Sequence, residues 1–323
     1  MKKGLLVAIA LGVSVLMFSS VALAEITTSG TLEWKVYGSD EKPGGSEVAS
    51  PVFKYGDVRM RYDVKLTSGA WEALFAPRVR LDKDPELIED NGSYLRVYLD
   101  SSSVTLQPRL DYGLFDVYSV VQDDPANIPK EPGIKLDVPL KPANIDLGVV
   151  INSTPVYKST GMENTGSGNM EAKWNYGVGM SFTVEPVTVG LQAITTDVAD
   201  ANWYGTAYGV KMGVDLAPVT ITAEYAGWSP EQTGLSDGSG IYGKISYALD
   251  EGLGSLALEY KGSDEEFNGC NTGPTTDDYS KLKGSYTYPL AEAVNMTVAV
   301  ASVDKGLGDA DFTEYEVVFA ASF

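Results

Sequence analysis

The 323-residue sequence contains no histidine. That removes the Ser-His-Asp and Cys-His relays, every His-ligated zinc site and the commonest general base. It has one cysteine, Cys270, so neither an intrachain disulfide nor a cysteine-rich metal site can form. Basic residues are scarce, 24 against 44 acidic, for a net charge of −20. Such a balance disfavours nucleic-acid binding, which needs a basic surface. Past the first two dozen residues there is no apolar run of the roughly 20 residues that a membrane-spanning helix requires. No 3.6-residue hydrophobic period is visible there either.

The start of the chain is different in kind. Lys2 and Lys3 precede an apolar run from Leu5 to Phe18, and Ala22-Leu23-Ala24 closes it. This is the pattern of a secretory signal peptide with an A-x-A cleavage site. The residue directly after Ala24 is Glu25, not cysteine, so lipid attachment at that point is not expected. Removing residues 1–24 takes away only Lys2 and Lys3 among the charges, so −20 becomes −22. Residues 25–323 are read as one unit, with no internal domain boundary.

Nearly all of that unit alternates with period two. Val58, Met60, Tyr62, Val64 and Leu66 are interleaved with Arg59, Arg61, Asp63 and Lys65. Trp71, Phe75, Val79 and Leu81 alternate in the same way with Glu72, Arg78, Arg80 and Asp82. Strict alternation marks a strand with one apolar and one polar face. Sixteen such segments can be marked: 26–38, 51–67, 70–82, 92–100, 103–112, 132–140, 144–153, 170–184, 187–196, 204–216, 218–228, 239–249, 253–262, 278–289, 293–303 and 311–323. Many reach ten residues, longer than the usual strand of about 5–6. A tilted strand of about 9–11 residues crosses a bilayer core.

The connections fall into two classes that alternate. Short turns lie at Ser68-Gly69, Ser101-Ser102, Pro139 to Ala143, Glu185-Pro186, Ala217-Pro218, Asp250 to Gly252 and Leu290 to Glu292. Between them are eight longer segments, near 39–50, 83–91, 113–131, 154–169, 197–203, 229–238, 263–277 and 304–310. The fold class expected is all-β: a transmembrane antiparallel β-barrel of about 16 strands, with short periplasmic turns and long external loops. A secreted β-sandwich or propeller also explains alternation, but not the strand lengths or the two classes of connection. Trp34, Trp71, Tyr208, Tyr225, Tyr247, Tyr260, Tyr286, Tyr288 and Tyr315 share the apolar faces of their strands, as interfacial aromatic belts would.

The last segment places Thr313, Tyr315, Val317, Phe319, Ala321 and Phe323 on one face and ends in Phe323. It resembles the last-strand signature that the barrel assembly machinery reads. Together with the signal peptide and the sixteen strands, it makes the chain resemble the Gram-negative outer-membrane porins of the sixteen-stranded general diffusion type. That resemblance implies an outer-membrane location, contact with outer-membrane lipid, a homotrimer and passage of small hydrophilic solutes. It implies no cofactor and no enzymatic activity.

All six arginines, Arg59, Arg61, Arg78, Arg80, Arg96 and Arg109, fall on the polar faces of four successive segments. In a barrel they form a local basic wall facing the lumen. The longest connection, 113–131, carries Asp116, Asp123, Asp124 and Glu131. In porins the third external loop folds inward and narrows the pore, and the resemblance implies that this segment does so. Its carboxylates would then oppose the arginines across the constriction and set a transverse field over it. The simpler alternative makes the arginines wall ion pairs with Asp63, Glu72, Asp82, Asp100 and Asp111. Acids at Asp264-Glu265-Glu266 and Asp277-Asp278 have no calcium-loop spacing and read as solvated charge, so no metal site is expected. Cys270 lies in a polar loop and reads as a plain thiol.

The functional expectation is a water-filled channel for passive diffusion of small hydrophilic solutes and ions, weakly cation-selective because of the acid excess. The alternatives are a channel selective for a sugar or an anion, and a plugged surface or adhesin-type barrel. An outer-membrane hydrolase would have to work without any histidine.

Overall fold

The structure, a computed structural model, describes residues 25–39, 52–80, 88–90, 92–110, 131–140, 143–152, 173–196, 205–230, 236–264, 279–304 and 311–323. The expected signal segment 1–24 and the interiors of most long connections lie outside them. Among the described residues all regular structure is strand: β1 Glu25–Ser39, β2 Val52–Ser68, β3 Trp71–Phe75, β4 Pro77–Arg80, β5 Ile88–Asp90, β6 Tyr94–Leu99, β7 Ser102–Leu110, β8 Glu131–Leu140 and β9 Ala143–Asn152. The second half holds β10 Lys173–Val184, β11 Val187–Thr196, β12 Gly205–Leu216, β13 Val219–Pro230, β14 Gly238–Ala248, β15 Ser255–Ser263, β16 Tyr279–Ala291, β17 Val294–Asp304 and β18 Phe312–Ser322.

All pairings are antiparallel between wall strands that follow one another along the chain, and β1 pairs with β18, so the sheet closes on itself. Two of the sixteen wall strands are interrupted. β3 and β4 are separated by Ala76 alone and keep one unbroken register against β2, from Ser68↔Trp71 to Arg59↔Arg80. β5 and β6 are parts of a second wall strand, broken at 91–93. The wall is therefore a closed 16-strand antiparallel barrel. Ile88–Asp90, which the sequence reading placed in a loop, extends the wall beyond that break.

The two faces are inverted relative to a soluble protein. Large apolar side chains on the outer face are exposed, among them Met60, Val178, Leu258 and Val300. Polar side chains such as Glu72, Thr105, Gln192 and Glu224 are buried against the inner wall. A sandwich would put the first set in its core; a barrel puts it in lipid. Aromatic rings stud the outside, with pairs at Trp34–Phe319 (5.8 Å between centroids), Tyr208–Tyr225 (6.4 Å) and Tyr286–Tyr288 (6.3 Å). Trp71, expected among the outward aromatics, is instead covered, with 7% of its surface exposed.

Closure has a specific device. Gly30 donates its N–H to the Phe323 carbonyl at 2.7 Å and accepts from the Phe323 N–H at 3.0 Å. The Phe323 ring lies over the glycine: a Cβ at Gly30 would stand 2.5 Å from two ring carbons and 3.0 Å from the Arg61 carbonyl oxygen. The side-chain-free residue lets an aromatic from the last strand cover the first, which pins their register.

Candidate pore-lining site

The hairpin turn at Gly69-Ala70 sets β3 and β4 against β2 so that residues of one parity meet across the seam. Arg59 stands opposite Arg80, and Arg61 opposite Arg78. Two arginine pairs are thus adjacent in backbone register. Direct opposition of like charges is unfavourable in a sheet, so the pairs need counter-charge nearby. Arg61 has it on its own strand: its Nε donates to Asp63 Oδ1 at 2.6 Å. Glu33 on β1 is the register partner of Arg59; Glu89 on β5 is the backbone register partner of Arg78, with its side chain outside the described residues.

Arg96 belongs to a second group, one turn of the wall closer to the short-turn end. Its Nη1 lies 3.6 Å from Glu72 Oε1, its Nε donates to Thr105 Oγ1 at 3.1 Å, and its guanidinium sits 4.9 Å over the Tyr94 ring. Glu72 is the hub, only 6% exposed. It takes Lys65 Nζ at 2.7 Å and accepts hydrogen bonds from the hydroxyls of Tyr94 and Tyr98. A carboxylate this buried needs several donors, and here it has two cations and two phenols.

Of the expected site residues, Arg59, Arg61, Arg78 and Arg80 are brought together, and Arg96 joins the Glu72 group beside them. The ion pairs Arg61–Asp63 and Arg96–Glu72 are of the kind that the simpler alternative named. Arg80 and Arg109 are placed on β4 and β7 by their backbone, Arg109 beside a register shift between Gln107 and Leu110; their side chains lie outside the described residues. Asp116, Asp123 and Asp124 lie outside the described residues altogether, as do Asp82 and Asp111. Glu131 opens β8 opposite Leu110, with its side chain outside the described set. Asp100 sits in the turn after β6 with a φ of 44°.

The wall also holds a lattice that the sequence reading did not single out. Lys281 and Lys283 of β16 reach across β17 to Glu314 and Glu316 of β18, at 2.5 and 3.3 Å. The β17 residues between them are Val303, Ala301 and Ala299, all buried beneath the bridges. Lys35 of β1 adds a second cation to Glu316 at 3.2 Å, and Lys211 pairs with Glu224 at 3.1 Å farther round. Alternation shows these residues to be inward; only the register shows which of them meet.

The eighteen strands together contain sixteen basic and sixteen acidic residues, so the whole acid excess lies in the connections. By residue count the strands are charge-balanced.

Comparison with known proteins places this geometry. The family model described as Gram-negative porin matches residues 146–306. No curated protein matches the sequence. Among solved structures, the anion-selective porin from Comamonas acidovorans superposes with a TM-score of 0.63 at 11% identity, covering 93% of this chain and 100% of that one. OmpF of Salmonella typhi, in complex with daunomycin, gives 0.63 at 12% identity, covering 93% and 98%. OmpT of Vibrio cholerae in its trimer form gives 0.59 at 13%, covering 93% and 99%. At these identities the structural likeness establishes the fold, and the family model supplies the kinship. The chain belongs to the Gram-negative porin family, and its sixteen-stranded barrel is an outer-membrane channel.

Proposed function

We propose that this channel passes small hydrophilic solutes and ions by passive diffusion, with weak cation selectivity. The reading includes a constriction formed by Arg59, Arg61, Arg78, Arg80, Arg96 and Arg109 facing Asp116, Asp123, Asp124 and Glu131 of the third long connection. The observation that carries the selectivity is the distribution of charge: a balanced wall, with every surplus carboxylate in segments that border the mouths. Mouth carboxylates raise the local cation concentration within a Debye length, about 8 Å at physiological salt. The OmpT neighbour is a trimer, and the same assembly is proposed here, with outer-membrane lipid around it and the last strand read by the barrel assembly machinery.

A second reading, an anion-selective channel, is favoured by the two opposed arginine pairs. The first neighbour reported above is described as anion-selective. A lysine ladder would strengthen this reading. Lys261 and Lys281 are opposed in register, but Lys281 is already bound to Glu314, so the lysines of β16 do not form a bare cationic track.

Planar-bilayer recording tests both. Lasting open steps of nanosiemens scale are expected, and their absence rejects the diffusion channel. Across a KCl gradient the reversal potential of the wild type is expected to show cation preference, reduced in the Asp123→Asn, Asp124→Asn double variant. Anion preference in the wild type selects the second reading. Unchanged selectivity in the double variant removes the third connection from the narrow part of the pore.

A further inference from the structure

One lysine of the inner wall stands apart from the rest. Lys244 of β14 shares the inward parity of Tyr242 and is in register with Thr222 of β13 and Glu259 of β15. In the closed ring β14 lies diametrically opposite the wall strand containing β6, away from the arginine pairs. Every other lysine or arginine of the strands whose side chain is described has an ion pair, a hydrogen bond or a ring contact. Among the described residues, the Lys244 ammonium has no such partner. A cation directly opposite a carboxylate in an antiparallel pair normally binds it, so the cause lies with Glu259.

Glu259 is held elsewhere. Its Oε2 accepts the Tyr242 hydroxyl at 3.1 Å, a diagonal contact, since Tyr242 itself stands opposite Lys261 in register. Diagonal neighbours on one face of a sheet lie within reach of an aromatic side chain. Lys261 caps the same ring, with its Nζ 5.8 Å from the centroid. On its other side Glu259 is in register with Lys283, but that lysine reaches across β17 to Glu316 at 3.3 Å. Glu259 thus has a lysine opposite it on each neighbouring strand and is bound to neither. A phenol hydrogen bond leaves the carboxylate its charge and further lone pairs. The wall here presents one ammonium and one carboxylate side by side, both half-buried and not neutralised by each other.

A solute with a single charge gains from one of these groups and loses to the other. A zwitterion gains from both: its carboxylate meets the Lys244 ammonium while its own ammonium meets the Glu259 carboxylate. Opposed positions of an antiparallel pair have Cβ atoms about 4.5–5.5 Å apart, a span that suits two charged groups carried on one carbon. Thr222, the other register partner of Lys244, adds a hydroxyl beside it. We infer that Lys244 and Glu259 form a weak docking point on the pore wall for small zwitterionic solutes of the α-amino acid type. This rests on the reading of the barrel as an open diffusion channel and adds a solute class to it. Conduction needs contacts favourable enough to admit a solute and weak enough to release it, and a solvated charge pair meets both conditions.

The test measures swelling of liposomes carrying the channel in isotonic L-serine, a zwitterion, relative to L-arabinose, a neutral solute. The serine-to-arabinose rate ratio is expected to fall about two- to fivefold in Lys244→Gln, in Glu259→Gln and in the double variant, the factor that an exposed charge contact supports. Glu259→Gln keeps an acceptor for the Tyr242 hydroxyl, and the double variant keeps the net charge of the wall. Lys281→Gln removes one positive charge at a lysine already bound to Glu314 and is expected to leave the ratio as in the wild type. An unchanged ratio in the double variant overturns the proposal. So does a fall in Lys281→Gln as large as that in Lys244→Gln, which makes net charge the cause. If the double variant fails to assemble, the two single variants set against Lys281→Gln decide in the same way. If neither solute enters liposomes carrying the wild type, the open-channel reading itself falls, and the docking point with it.

Discussion

At the scale of single residues, the sign of every substitution in this wall depends on which face its side chain takes. Met60 and Arg61 are adjacent in sequence and opposite in environment. Met60 is 37% exposed on the outer surface, and Arg61 is bound to Asp63 inside. Met60→Arg is expected to impair assembly, with a cost at the bilayer midplane of roughly 2–4 kcal/mol. Arg61→Ser keeps a polar group in a wet lumen and is expected to be tolerated. The yield of heat-resistant folded barrel checks both, and equal damage from the two would refute the face assignment. The arginines were legible at this scale, because parity alone puts all six on polar faces. Their opposition as Arg59–Arg80 and Arg61–Arg78 needed the turn geometry that fixes register.

At the scale of elements, closure and bulges decide what alternation cannot. The first and last strands meet over Gly30, where the Phe323 ring occupies the space a side chain would take. Gly30→Ala therefore forces the ring aside. A destabilisation of about 1–3 kcal/mol, typical of overpacking, is expected. It should appear as a lower temperature for the folded-to-unfolded mobility shift of the barrel. Phe323→Ala in the same chain is expected to recover part of the loss, since the clash goes with the ring; no recovery would mean that Gly30 matters for another reason. The break in β5–β6 was not legible from alternation. Read linearly, Asn91-Gly92 looks like the end of a loop, and the reversal of parity between Glu89 and Arg96 becomes meaningful only when both are seen opposite Arg78 and Glu72.

At the scale of the molecule, charge is segregated rather than mixed. With the strands balanced and the acid excess outside them, cation preference should originate at the mouths. Such preference is screened by salt, because the Debye length falls from about 10 Å at 0.1 M to about 3 Å at 1 M. Reversal potentials at a fixed concentration ratio are therefore expected to lose cation preference as total KCl rises over that range. A preference independent of salt would place its origin in the narrow part of the pore. The lysine–glutamate bridges of β16 and β18 lie close to the arginine-bearing strands, because β18 pairs with β1 and β1 with β2, and they neutralise Lys281, Lys283 and Lys35 there.

The strand faces, the alternation of short and long connections and hence the barrel follow from the order of the amino acids. Period-two patterning is a local property of the chain, and lipid outside with water inside demands it over ten or more residues at a time. It took the folded ring to show that β1 closes on β18 through Gly30, that Lys281 meets Glu314 across β17, and that the Ser93 hydroxyl accepts the buried Ala76 N–H. Those outcomes depend on register between strands. Register is set jointly by turns, bulges and closure around the whole ring, and a slip of one residue anywhere would exchange the faces it connects.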